Sequence, residues 1–145
     1  LIHKLLVAAM SAPSAGNERA WQFVVITNRD LLKEAARIHP HAPMAKEAPL
    51  AILVCGDTAR EKYHGFWVQD CSAATQNLLL AAHALGLGAV WTGIYPVEER
   101  AAAFTRVFGL PDYVVPFALI PIGYPGEAKG QQSRYDAARV HANRW

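Results

Sequence analysis

Charge is scarce in this chain. Only 18% of its 145 residues are Asp, Glu, Lys or Arg, while 52% are hydrophobic. That balance excludes disordered, collagen-like and acidic-tail classes. Fourteen basic and twelve acidic residues leave a net charge of +2. No Lys/Arg run or basic stripe concentrates it, so nucleic acid is not an expected partner. Cysteine is scarce too. Cys55 and Cys71 lie near apolar runs and form no CxxC, which reads as two buried free thiols in a reducing cytoplasm. The chain lacks the run of about eighteen apolar residues that a membrane span needs. Residues 1–10 are too short and too poorly flanked for a signal peptide.

Several site motifs are missing as well. There is no GxxxxGK[ST], no GxSxG and no HExxH. Gly86-x-Gly88 follows a helical pattern, whereas a dinucleotide fingerprint follows a strand. What is present suits one domain over residues 1–145. At 15.8 kDa the folded surface should be about 7,300 Å², with roughly two-thirds of the unfolded surface buried. So little charge also favours an obligate oligomer.

The pattern alternates strands and helices. Leu1, Ile2, Leu5, Leu6 and Ala9 share one face of a helix over 1–11 with no cap before it, so a preceding segment is expected to be missing. WQFVVIT at 21–27 reads as a strand. Asn28 or Asp30 can cap a helix over 31–38. LAILVCG at 50–56 fits a strand buried on both faces. Residues 66–85 form the longest helical pattern, polar in its first half and apolar all round over 78–85 except His83, as in a core or an interface. A short strand is expected over 89–92, a helix over 97–108 closed by Gly109, and a strand over 114–124. The prolines of that last strand suggest an edge or bulges. Residues 126–145 read as polar and irregular. The fold class is α/β or α+β with layered helices and sheet.

Three loops could carry chemistry. Ser14 and Asn17 lie among small residues that let a ligand approach backbone N–H groups, or they are ordinary turn formers. Trp91, Thr92 and Gly93 follow a short strand; Gly93 would admit a flat ring and Thr92 adds a hydroxyl, or they simply make a turn. Arg134 could pair with a phosphate or be a solvated charge. His39 and His41 flank a proline and read as exposed loop histidines. With Asp57 they would be the ligands of a metal-dependent hydrolase, a minor alternative.

SAPSAGN at 11–17 followed by WQFVVI, DCSAATQNLLLAAHALGLGAVWTGIYP at 70–96, PIGYPGE at 121–127, and Arg134 with the ending HANRW together resemble the small FMN-dependent nitroreductases, in order and over essentially the whole chain. The resemblance implies an α+β three-layer sandwich with a central mixed sheet, and an intertwined homodimer with FMN at its interface. It implies that Pro13, Ser14 and Asn17 reach the flavin from the partner chain, that Trp91, Thr92 and Gly93 line its ring, and that Arg134 holds its phosphate. The chemistry implied is ping-pong: NAD(P)H passes hydride to the flavin and leaves, and a nitroaromatic, quinone or similar acceptor takes its place. No protein nucleophile is needed, because the cofactor carries the chemistry. The alternative is a flavin-binding dimer without turnover. Two departures stand out. The family's opening Arg-Ser-x-Arg-like segment has no match here, and Arg19-Ala20 stands where Gln-Pro is frequent.

Overall fold

In a computed structural model the chain is described at residues 1–127, 130 and 132–145. A five-stranded sheet lies between two helical layers. In chain order the elements are α1 (Ile2–Met10), β1 (Trp21–Ile26), α2 (Arg29–Ile38), β2 (Leu50–Asp57), α3 (Trp67–Ala84), β3 (Gly88–Ala89), β4 (Thr92–Gly93), α4 (Glu98–Phe108) and β5 (Val114–Gly123). The sheet runs β1-β2-β5, with β3 and β4 both on β5. Every pairing among the described residues is antiparallel, where the family resemblance implied a mixed sheet.

β2 shows why the sheet is central. All eight of its residues are buried. Leu50, Ile52 and Val54 pack into one core with Leu5 and Ala9 of α1 and Cys71, Ala74 and Leu78 of α3. Ala51, Leu53 and Cys55 pack into the other with Leu32 and Ala35 of α2 and Phe104 of α4. Alternate side chains of a strand point to opposite faces, so a continuous apolar run is what a sheet covered on both sides needs.

Local signals set two of the helix ends. Asn28 caps α2, its side chain accepting from the N–H groups of Asp30 and Leu31. Gly109 ends α4 in the left-handed region at φ 62°. The expectation over 114–124 is half corrected. β5 is not an edge strand; it pairs with β2 on one side and with β3 and β4 on the other. The register with β2 skips Phe117, a bulge beside Pro116. Pro121 lies opposite the break between β3 and β4, where no partner needs its missing N–H. That break, at Val90 and Trp91, divides the single strand expected over 89–92. The tail beyond β5 is irregular apart from a short turn at Ala137–Arg139; Ala128, Lys129 and Gln131 lie outside the described residues.

Candidate functional site

Two loops carry most of the residues singled out in the sequence. The first follows α1. Pro13 and Asn17 are exposed and Ser14 is half-buried. Gly16, Asn17 and Arg19 all have φ near +50°, an unusual concentration of left-handed backbone that turns this loop outward. Ser14 Oγ accepts from the Arg19 N–H at 3.0 Å, which leaves its own hydrogen free to donate. Asn17 Oδ1 accepts from Arg19 Nε at 3.0 Å. Arg19 is thus built into the loop.

Beneath that loop lie two carboxyls that sequence reasoning passed over as functional groups. Asp70 Oδ1 accepts from the Ala15 N–H at 2.9 Å. Glu18 Oε2 accepts from the N–H groups of Lys62 and Tyr63, at 2.6 and 3.1 Å. Both acids are nearly inaccessible, and one oxygen of each, Glu18 Oε1 and Asp70 Oδ2, has no hydrogen-bond partner. Burial pushes Asp70 up, and the neighbouring Glu18 adds to the rise against the pull of the Ala15 N–H. Burial also acts to raise Glu18, but the Lys62 and Tyr63 N–H groups and Asp70 outweigh it and hold it below the usual range. Only the polar character of the first half of α3 hinted at Asp70.

The second loop contains β4. Trp91 is half-buried and packs on Phe117, with ring centroids 5.6 Å apart. Phe117 in turn meets Trp67, which meets Tyr95 at 4.9 Å, so an aromatic cluster backs the loop. The Thr92 hydroxyl points inward and donates to the Leu119 carbonyl at 2.6 Å. That bond helps hold β4 on β5. Gly93 is exposed, and a Cβ built on it would meet only the Tyr95 carbonyl oxygen, at 3.9 Å. An exposed glycine edge backed by aromatic rings can receive a flat ring.

His39 corrects the expectation of an exposed loop histidine. It is 1% exposed, and its Nε2 lies 2.9 Å from the Gly93 carbonyl oxygen. Its Nδ1 accepts from the His41 N–H at 3.2 Å. Both ring nitrogens are therefore engaged. Asp57 is committed elsewhere, to the Gln22 side chain and the Ala59 N–H. Among the described residues no three His, Cys, Asp or Glu side chains form a metal-ligating group. Arg134 is exposed in the tail, with a 3.4 Å hydrogen bond to Gln132 Oε1. The hydrogen bonds of Ser14 and Asn17 stay within their own loop, and those of Thr92 and Gly93 go to β5, His39 and Arg100. The structure does not join the two loops to each other or to Arg134 by a hydrogen bond.

The profile described as "Nitroreductase family" matches residues 1–42 and 36–124. The chain belongs to the nitroreductase family. A Methanothermobacter thermautotrophicus protein provisionally named NADH dehydrogenase/NAD(P)H nitroreductase is 53% identical over 145 residues, spanning all of this chain and 76% of that protein. A crystal structure of a similarly named protein from Parabacteroides distasonis matches 99% of this chain and 84% of its own, with a TM-score of 0.95 and 44% identity. An FMN-dependent nitroreductase from Clostridium difficile matches 99% of this chain and 87% of its own, with a TM-score of 0.91 and 27% identity. These relatives carry the names of oxidoreductases, and the nitroreductase fold extends over this chain almost from end to end. No helix among the described residues is long and apolar enough to cross a membrane.

Proposed function

We propose that this nitroreductase-family chain is an FMN-dependent NAD(P)H oxidoreductase. It works in the cytoplasm as an intertwined homodimer and reduces a nitroaromatic, quinone or similar acceptor. The observation that carries this reading is the exposed Gly93 edge, which lacks a Cβ, would bring one near only the Tyr95 carbonyl oxygen and is backed by the Trp91–Phe117 pair. Trp91, Thr92 and Gly93 would line the flavin ring through their backbone and the indole. Pro13, Ser14 and Asn17 would reach it from the partner, Ser14 offering its free hydroxyl hydrogen. Arg134, exposed and cationic, would hold the phosphate. When bound, the flavin supplies hydride transfer, taken from the nicotinamide and given to the acceptor in turn. The protein's share is to position both reactants and to exclude water.

The dimer has its own support. The single chain exposes 9152 Å², well above the roughly 7,300 Å² of a compact monomer of this mass. Leu80 on α3 is 58% exposed, as are Val7 and Met10 of α1 at about half. The tail leaves Tyr135, Val140 and Trp145 in the open. A second copy would cover these surfaces and bring its own Ser14–Asn17 loop to the Gly93 edge.

Steady-state oxidation of NADH and NADPH tests the reading, with FMN-loaded protein and a quinone or nitroaromatic as acceptor. Turnover with parallel double-reciprocal lines is expected. Flavin that binds but is never reduced would instead favour a binding dimer without turnover.

A further inference from the structure

The Gly93 carbonyl oxygen is gripped twice. His39 Nε2 lies 2.9 Å away and Arg100 Nη1 2.6 Å away. Because Nδ1 of His39 already accepts from the His41 N–H, the ring hydrogen sits on Nε2 and is donated to Gly93. Phe104 of α4 braces the imidazole edge-on, with centroids 6.3 Å apart. Just beyond, the N–H groups of Ile94 and Tyr95 both donate to the carbonyl of Phe117, the bulged residue, at 2.9 and 3.1 Å. Residues 93–95 are thus held from two sides. Helix α4 and the segment after α2 hold the carbonyl; β5 holds the amides.

A glycine needs such a clamp more than any other residue. It has no Cβ to restrict its backbone, so an exposed glycine edge is free to turn unless something fixes it. A carbonyl accepting two donors, one of them cationic, is anchored.

We propose that His39, as the neutral Nε2–H tautomer, and Arg100 are positioning residues that fix the Gly93 peptide edge for the flavin without touching it. The proposal rests on the function proposed above for the Gly93 edge. Burial of the imidazole agrees with it: burial pushes His39 below its ordinary range, and the Arg100 and His41 charges act the same way, against the pull of the Gly93 carbonyl.

The test compares Arg100→Met, His39→Ala and His39→Gln with the unaltered FMN-loaded protein. The readouts are FMN dissociation by fluorescence titration, the visible flavin band and thermal melting. Loss of either donor is expected to weaken FMN binding about tenfold, as one hydrogen bond corresponds to about that factor, and to shift the flavin band. His39→Gln is expected to recover most of the affinity, because its amide can donate to the same carbonyl. If His39→Ala does not fold, Arg100→Met carries the test, since its side chain is partly in solvent. Folded variants with unaltered FMN affinity and an unaltered band would overturn the proposal. If the unaltered protein takes up no flavin, the functional reading fails separately. The clamp is then judged by the ¹³C shift of the Gly93 carbonyl. That shift moves in Arg100→Met if the clamp exists, and stays put if it does not.

Discussion

Asp70 and Glu18 are two neighbouring buried carboxyls whose acidities are driven in opposite directions. Glu18 Oε1 and Asp70 Oδ2 have no hydrogen-bond partner. Burial and the Glu18 charge push Asp70 up, while against its own burial the Lys62 and Tyr63 N–H groups hold Glu18 down. The pair ties the loop at Ala15 to α3 and to the backbone of Lys62 and Tyr63. It therefore sets the position of Ser14 and Asn17.

The sign of the pH dependence follows from the two directions. An acid raised in the folded state adds stability below its unfolded value and loses it as pH rises through the raised value. Glu18 does the opposite: its contribution is present above its unfolded value and is lost as pH falls from there through its depressed value. Asp70→Asn mimics the protonated acid, since its amide can accept from Ala15 and donate to Glu18. Urea unfolding between about pH 4 and pH 8 should show the unaltered protein losing stability on the alkaline side and Asp70→Asn losing less. Equal slopes in the two proteins would sink this assignment. Asp70→Ala strands both partners and should cost about 1–3 kcal/mol.

Gly56 meets a different constraint. A Cβ there would lie 2.1 Å from the Trp67 ring. That ring is buried and flanked by Tyr95 and Phe117, so it has little room to move. Gly56→Ala should destabilise by about 1–3 kcal/mol through overpacking, and it should disturb the aromatic backing of Trp91. Gly126→Ala, with open space around it, should stay within about 0.5 kcal/mol. Thermal melting of the two variants makes the comparison.

The thiols should be silent in the native protein. Cys55 and Cys71 are both fully buried. Burial pushes the Cys55 thiol up to about 12, and burial with the Cys55 and Asp70 charges pushes Cys71 up as well. Thiolate is the reactive form. Ellman's reagent at neutral pH should find no fast thiol before denaturation and both afterwards. Rapid native reaction would contradict this burial.

Much of this architecture was legible locally. The unbroken apolar run of β2, the Asn28 cap and Gly109 each announce their structure within a few residues. For β5 the prolines left an edge or bulges open; the Phe117 bulge and the gap opposite Pro121 decide it, and both depend on strands distant in sequence. The candidate site divides in the same way. Ser14, Asn17 and Gly93 stand in short motifs that resemble a family. His39, Arg100, Glu18 and Asp70 do not. His39 sits in a His-Pro-His stretch that reads as exposed loop, and its partner Gly93 lies 54 residues on. No local pattern encodes that pairing.

Arg134 offers a test of the tail that leaves the core alone. Arg134→Met should not change the melting temperature, because the side chain is exposed. It should weaken FMN about tenfold or more, the loss of one charge-assisted contact of about 1.5–3 kcal/mol. Unchanged affinity would remove Arg134 from the phosphate site.

The central claim is that the Gly93 edge receives a reducible flavin, and a visible spectrum tests it most directly. Purified protein, incubated with FMN and desalted, should be yellow, should release FMN on heating in proportion to chain, and should bleach anaerobically with NADH or NADPH. A folded protein that stays colourless after the same treatment would contradict the account.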